Sequence, residues 1–179
     1  YQPRSPYAAS KASADHMVRA YGETYGLPYV ISNCSNNYGP DQHTEKLIPT
    51  LISHLQQNKP LPLYGDGSNV RDWLYVEDHV LAMDLILHEG AIGETYLIGG
   101  RCEQSNLEVA KALCQAYDAH AGQTQGTAEK LITFVTDRPG HDFRYAIDPS
   151  KLENNLGWTP KTNWEMGVAK TITAYLNKE

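Results

Sequence analysis

A tyrosine and a lysine stand four residues apart in the stretch YAASK, residues 7–11. This spacing puts Tyr7 and Lys11 on one face of a helix. A free phenol has a pKa of about 10, too high for a base at neutral pH, but a nearby ammonium lowers that pKa by stabilising the phenolate. The pair could therefore act as a general base and contact the ribose of a nicotinamide nucleotide. Because the same spacing also arises by chance in ordinary helices, it decides little alone.

Two adjacent amides follow the next predicted strand. The segment YVISNC, residues 29–34, is apolar on both faces, which is typical of a buried parallel strand, and NCSNNYGP continues from it. Ligands of open α/β sheets bind at the carboxyl ends of the strands. Asn36 and Asn37 would present hydrogen-bond donors and acceptors there, although Gly-Pro also favours a plain asparagine-rich turn.

A cationic side chain follows a glycine-rich turn in LPLYGDGSNVRDWLYVEDH, residues 61–79. Arg71, at the beginning of a strand, could bind a phosphate through two hydrogen bonds. A surface ion pair with Asp72 or Glu77 would equally explain an arginine at this position. The aromatic residues of this strand are interpreted as packing side chains.

The late segment DRPGHDFRYAID, residues 137–148, concentrates charge around Pro-Gly. Arg138 could donate to a pyrophosphate, and Tyr145 could donate its hydroxyl or stack on a ligand. His141 could equally be a solvated loop histidine. The seven histidines show no metal-ligand spacing, and neither a G-x-S-x-G motif nor a Walker loop occurs. The sequence therefore disfavours a metal site and serine hydrolysis.

The elements that must position these residues alternate between helix and strand. One helix is predicted from Ser5 and Pro6 to Gly26, and the S-x-x-E pattern from Ser105 to Glu108 begins another. Further helices are predicted at 45–58, with a kink or its beginning near Pro49, at 77–90, after 149 and at 164–176. Strands are predicted at 61–64, 71–76, 94–100 and 131–135, residues 144–148 are predicted to be extended, and 121–130 is predicted to be a surface loop. The alternation favours an α/β fold with parallel strands.

Bulk composition narrows the class of partner. The chain has 179 residues, a net charge of −6 and scattered Lys and Arg, so neither nucleic acid nor an anionic membrane is expected as a partner. No apolar run is long enough to span a bilayer, and no signal peptide is expected. The three cysteines lack metal-like spacing and are expected to be reduced, in the cytoplasm. Because the chain begins with Tyr directly before a helix, we expect it to be part of a longer protein.

Five blocks resemble those of one enzyme family in the same order: SPYAASKASADH, NCSNNYGP, EKLIP, PLYGDGSNVRDWLYVEDH and DRPGHDFRYAID. They resemble the carboxyl-terminal half of the dTDP-glucose 4,6-dehydratases, which are extended members of the short-chain dehydrogenase/reductase superfamily. The Y-x-x-x-K and N-x-Y-G-P motifs are shared across the superfamily. VRDWLYVEDH and especially RPGHDFRYAID are much more specific to the dehydratases.

The resemblance implies a three-step reaction with bound NAD. Tyr7, held as phenolate by Lys11, takes the proton of the sugar 4-hydroxyl while hydride leaves C4 for NAD. Water is then eliminated across C5 and C6, and the hydride returns to C6, giving dTDP-4-dehydro-6-deoxyglucose. Tyr7, Lys11 and Asn37 are implied as NAD contacts. The implied dTDP-glucose contacts are Asn36, Lys46, Leu47, Pro62, Leu63, Tyr64, Arg71, Asn106, Asp137, Arg138, His141 and Tyr145.

The family pattern is incomplete in this chain. The G-x-x-G-x-x-G loop and the Thr-Asp-Glu segment that supplies the dehydration acid and base are absent from it. Asp15 and Glu23 lie on the helix after Tyr7 and do not replace them. We therefore expect only the intact protein to be active, and the 179-residue chain alone to be inactive. The family also implies a homodimer that includes the Tyr-Lys helix in its interface.

Two other functions stay open at this point. Another nucleotide-sugar enzyme of the superfamily, a 4-epimerase or a decarboxylase, would share YAASK and the glycine-rich turn, but RPGHDFRYAID argues against it. A non-catalytic fragment that only binds nucleotide sugars would bind dTDP without turnover.

The expected fold is α/β. It combines the end of an NAD-binding Rossmann-type, doubly wound parallel sheet with a smaller mixed α/β substrate-binding lobe. Residues 1–40 are expected to hold the rest of the Rossmann domain with the Tyr-Lys helix. Residues 41–179 are expected to form mainly the nucleotide-sugar lobe, with about 71–90 returning to the Rossmann sheet.

Overall fold

The structure, a computed structural model, describes residue 3, residues 5–138 and residues 140–177. Its helices are α1 Pro6–Tyr25, α2 Leu47–Gln56, α3 Val76–Glu89, α4 Asn106–His120, α5 Ser150–Leu156 and α6 Trp164–Leu176, with a 3₁₀ turn at Ala128–Leu131. Its strands are β1 Ile31–Cys34, β2 Asn36–Tyr38, β3 Leu61–Tyr64, β4 Val70–Tyr75, β5 Thr95–Ile98, β6 Glu103–Ser105, β7 Ile132–Val135 and β8 Arg144–Tyr145. Within these residues no helix has the length and apolar character needed to cross a bilayer.

Strand pairing is mostly parallel. β1 pairs with β5, β2 with β4, and β3 with β7, each in parallel. β4 also pairs in parallel with β8 and antiparallel with β6, so the sheet around β4 is mixed. The α/β fold with parallel strands is thereby confirmed.

The buried side chains form two clusters. One joins α3 and α5 to β1 and β5, around Ile86, Tyr96, Ile98 and Leu152. The other joins α2, α4 and α6 to β3 and to the aromatic side chains of β2 and β4. Leu74 of β4 belongs to the first cluster and its neighbour Trp73 to the second, because successive strand residues face opposite sides. The proposed boundary at residue 40 stays a prediction.

The helix that carries YAASK begins and ends as the sequence predicts. The Ser5 hydroxyl accepts a hydrogen bond from the Ala8 amide at 3.1 Å, and Pro6 occupies the first turn, where a missing N–H costs nothing. Gly26 ends the helix with φ of 67°, a left-handed conformation that glycine adopts without strain. The capping box of Ser105 and Glu108 at α4 is also confirmed.

Two details differ from the prediction. β2 and β6 were not predicted as strands; each has three residues and becomes a strand through pairing with β4. The predicted surface loop at 121–130 ends in the 3₁₀ turn, where Ala128 is buried. The predicted beginning of α2 near Pro49 is confirmed: the helix begins at Leu47 with Pro49 in its first turn, where the proline removes no helical hydrogen bond.

Candidate active site

The glycine-rich turn between β3 and β4 holds the amino end of α4 beside β4. Gly67 has φ of 77°, and its carbonyl accepts a hydrogen bond from the Leu107 amide at 3.0 Å. A Cβ atom at Gly67 would come within 3.1 Å of the Leu107 Cβ. The Asn106 amide also donates to the Asn69 carbonyl at 3.0 Å. Glycine at this turn thus permits the close approach that places Asn106 next to Arg71.

Nine of the predicted substrate contacts line one cavity of about 470 Å³. They come from β2, α2, β3, β4, α4 and the loop after β7, elements that lie far apart in sequence. The nine are Asn36, Lys46, Leu47, Pro62, Tyr64, Arg71, Asn106, Arg138 and His141.

Three cations line this cavity and form no ion pair within the described residues. Within residues 5–138 and 140–177, Lys46, Arg71 and Arg138 make no ion pair at 4.0 Å or less. The Arg71 guanidinium donates instead to carbonyls, at 2.7 Å to Val70 and 2.7 Å to Asp142. Burial lowers the pKa of Arg71, because desolvation disfavours the charged guanidinium; the Asp142 charge opposes this decrease and the Arg138 charge adds to it. A bound anion would offset the repulsion between the two guanidinium groups.

One wall of the cavity is formed by the exposed face of β3. Arg138 lies over the Tyr64 ring, with its guanidinium carbon 5.1 Å from the ring centre, and the His141 ring meets Tyr64 edge-on at 6.3 Å. Pro62 lines the cavity on the same face. Leu63, the residue between them, points the other way into the core and is 1% exposed. Its side chain is therefore packed in the core rather than against the cavity.

Asp137 is not a lining residue but contacts one. Its carboxylate lies 2.7 Å from Nδ1 of His141, and this hydrogen bond is the largest cause that lowers the pKa of Asp137. The same Oδ1 accepts the Arg138 amide at 2.7 Å. Asp137 thus orients the His141 ring and the backbone of the loop at the cavity.

The two adjacent asparagines face opposite sides of β2. Asn36 lines the cavity, whereas the Asn37 amide donates to Sγ of Cys34 at 3.2 Å and to the Ser35 carbonyl at 3.4 Å. Oδ1 of Asn37 is buried and has no donor within the described residues. The strand therefore offers one amide to the cavity and one unpaired acceptor to its other side.

Tyr7 and Lys11 lie outside this cavity, on α1. Both side chains are exposed, Tyr7 by 73%. Tyr145 instead joins β8 to the carboxyl end of β1: its hydroxyl donates to the Cys34 carbonyl at 3.3 Å, and its backbone pairs with Arg71 of β4. Burial raises the pKa of Tyr145, because desolvation disfavours the phenolate.

Sequence reasoning missed five of the lining residues: Glu45, Thr50, Leu51, Trp73 and Val135. Trp73 was interpreted as a packing residue, and it does pack in the core, with 5% exposure. The alternation of β4 was the available signal, because Trp73 lies on the same face of the strand as Arg71.

A family model described as GDP-mannose 4,6 dehydratase matches residues 1–171. The chain belongs to this family. Within it, the chain is 54% identical to a dTDP-glucose 4,6-dehydratase of Neisseria gonorrhoeae, covering 100% of the chain and 53% of that protein. It is 52% identical to one of Escherichia coli, covering 100% of the chain and 50% of that protein. The chain thus spans about half the length of the curated relatives it matches.

Solved structures of the family agree with this fold. A dTDP-glucose 4,6-dehydratase of Bacillus anthracis in complex with NAD matches with a TM-score of 0.87 and 47% identity, over 99% of the chain and 54% of that structure. One of Streptomyces venezuelae, with NAD bound, matches with a TM-score of 0.89 and 43% identity, over 99% and 52%. The resemblance to the dTDP-glucose 4,6-dehydratases and the Rossmann-type fold class are confirmed.

Proposed function

We propose that the whole protein carrying this chain is an NAD-dependent lyase that converts dTDP-glucose to dTDP-4-dehydro-6-deoxyglucose. The observation that supports this most is the cavity lined by Lys46, Arg71 and Arg138, for which the described residues show no ion pair. Three such cations suit a diphosphate, and relatives about half identical to this chain are named for dTDP-glucose.

Different residues of the cavity would contact different parts of the substrate. Lys46, Arg71 and Arg138 would bind the diphosphate, with Arg71 giving the planar fork that phosphate oxygens favour. Tyr64 and Pro62 would contact the thymine ring through the exposed face of β3. Asn36 and Asn106 would donate and accept hydrogen bonds along the nucleotide sugar.

The other side of β2 suits the cofactor. The buried Oδ1 of Asn37 lacks a donor, and the carboxamide N–H of a nicotinamide would supply one. Lys11 and Tyr7 would contact the ribose hydroxyls. A cofactor held by these residues would supply the acceptor for the hydride of C4 and the donor of the hydride returned to C6.

Tyr7 is the proposed base of the first step. Its phenolate would accept the proton of the sugar 4-hydroxyl, and the Lys11 ammonium, one helical turn away, would stabilise that phenolate. The resulting 4-ketone acidifies C5 and so permits the loss of water. The acid and base of that elimination are not assigned to this chain.

The product of the reaction tests the proposal directly. The whole protein would be incubated with dTDP-glucose and the sugar nucleotide analysed by mass spectrometry. We expect a product lighter by one water, with a 4-keto group. A product of unchanged mass would instead indicate 4-epimerisation, and recovery of unaltered dTDP-glucose would contradict the proposed function.

The epimerase alternative has some support of its own. A UDP-glucose 4-epimerase of Thermotoga maritima matches with a TM-score of 0.82 and 25% identity over 96% of the chain. The identity is about half that of the dehydratases, which is why dehydration is preferred.

We also propose that the whole protein is a cytoplasmic homodimer. Cys34, Cys102 and Cys114 are free thiols, which fits a reducing compartment. The Tyr-Lys helix exposes apolar side chains that a second protomer would cover.

A further inference from the structure

The helix that carries Tyr7 and Lys11 is held to the sheet by few contacts. All residues of α1 are described, and none is buried. Ala9, Asp15 and Gly22 are half-buried, and the other residues of the helix are exposed. Within this chain, the position of the helix along the strands therefore depends on polar side-chain contacts more than on buried apolar ones.

Two side-chain hydrogen bonds join α1 to the sheet. Nδ2 of Asn33, in β1, donates to Oδ2 of Asp15 at 2.9 Å in a half-buried contact. One turn further along the helix, the Arg19 guanidinium donates to Oγ1 of Thr95 at 2.6 Å in an exposed contact. Thr95 pairs with Ile31, two residues before Asn33.

The spacing of the two hydrogen bonds along the helix matches their spacing along the strands. Four residues of helix and two residues of strand both span about 6 Å. Continued toward the amino end of α1, the same register puts Lys11 near the level of Ser35 and Tyr7 near that of Asn37.

We propose that Asp15 and Asn33 are positioning residues for the base of the reaction. Their hydrogen bond links the helix that bears Tyr7 to the strand segment that continues into Asn36 and Asn37. It thereby sets the distance between the phenol and the reacting sugar. The inference rests on the proposed function, and Asp15 itself touches neither the substrate nor the cofactor in this role.

The test uses variants of the whole protein that break and then reverse the bond. Asp15→Ala removes the acceptor, and Asn33→Asp places two carboxylates against each other. The double variant Asp15→Asn/Asn33→Asp restores one donor and one acceptor with their positions exchanged. Arg19→Ala is the matched control, because the hydrogen bond that it removes is exposed to solvent and should contribute much less to the position of α1 than the half-buried one.

Single-turnover reduction of bound NAD by dTDP-glucose is the readout. A displacement of about 1 Å costs up to about 100-fold in rate, so we expect both single variants to slow this step by about 10-fold to 100-fold. The KM for dTDP-glucose should stay unchanged, because the cavity residues lie on other elements. The double variant should recover the wild-type rate, and Arg19→Ala should keep it.

A wild-type rate in Asn33→Asp, or a double variant as slow as the single ones, would overturn the inference. Failure of the wild-type protein to convert dTDP-glucose would overturn the proposed function instead. In that case amide hydrogen exchange decides: Asn33→Asp should accelerate exchange in the first turns of α1 and the double variant should reverse this. Equal exchange in all variants would then contradict the positioning role.

Discussion

At the scale of single residues, the Tyr7 phenol is the most testable group. Removing its hydroxyl in the whole protein with Tyr7→Phe should lower the rate of C4 oxidation by at least about 100-fold, as expected for loss of a general base. Affinity for dTDP should remain nearly unchanged, because the nucleotide cavity lies on other elements. Stopped-flow reduction of bound NAD and calorimetric titration with dTDP measure the two quantities. Tyr25→Phe is the matched control, since Tyr25 is on the same helix and equally exposed, at 73%. An active Tyr7→Phe variant would remove Tyr7 as the base.

Arg71 allows a second test at this scale. Hydrogen bonds to charged groups contribute about 1.5–3 kcal/mol, so Arg71→Ala should weaken dTDP binding by roughly 10-fold to 150-fold. Arg144→Ala is the control, because the Arg144 guanidinium pairs with Glu103 at 2.6 Å and does not line the cavity. The dissociation constants of both variants for dTDP would be measured by calorimetric titration. Equal constants for the two variants would show that Arg71 is a structural residue that only donates to backbone carbonyls.

At the scale of elements, the amino-terminal cap of α4 stabilises the helix end that carries a cavity residue. The Ser105 hydroxyl accepts the Glu108 amide at 3.2 Å, and Asn106 of the cavity is the next residue. Ser105→Ala should lower the free energy of unfolding by about 0.5–2 kcal/mol. Ser13→Ala should not, because Ser13 lies inside α1 and its hydroxyl only donates back to the Ala9 carbonyl at 2.8 Å. Urea unfolding of the whole protein compares them, and equal losses would contradict the role of the cap.

The capped helices were predictable from the sequence because their signals are local. Ser5, Pro6 and Gly26 delimit α1 through interactions within a few residues. β2 and β6 were not predictable in this way: each has three residues and gains its hydrogen bonds from β4, more than 30 residues away in both cases. Polar residues such as Asn36 and Glu103 become strand residues only when that partner is present.

At the scale of the whole molecule, the pairing of strands that are far apart in sequence determines which residues line the cavity. The parallel pairing of β3 with β7 brings Tyr64 beside Val135, and the pairing of β4 with β8 brings Arg71 beside Tyr145. The sequence motifs shared with the family predicted which residues belong to the site. The direction in which each side chain points is determined by its position in a strand, which only the structure shows. Leu63 illustrates this, since its alternation in β3 turns it into the core while its neighbours face the cavity.

The apolar surface of α1 leads to a prediction about assembly. Met17, Val18, Tyr21 and Tyr25 follow each other along one side of the helix and are all exposed. Exposed apolar side chains that form a continuous strip usually mark an interface.

Tyr21→Glu should therefore turn the proposed homodimer into monomers, because the introduced carboxylate would have to lose its water inside the interface. Light scattering on the eluting whole protein measures the mass, and we expect it to fall to that of one protomer. Met166→Glu on α6 is the control, because Met166 is also 50% exposed but lies away from the strip. A Tyr21→Glu protein that keeps the wild-type dimer mass would place the interface elsewhere. A monomeric wild-type protein would contradict the homodimer itself, and the strip on α1 would then need another partner.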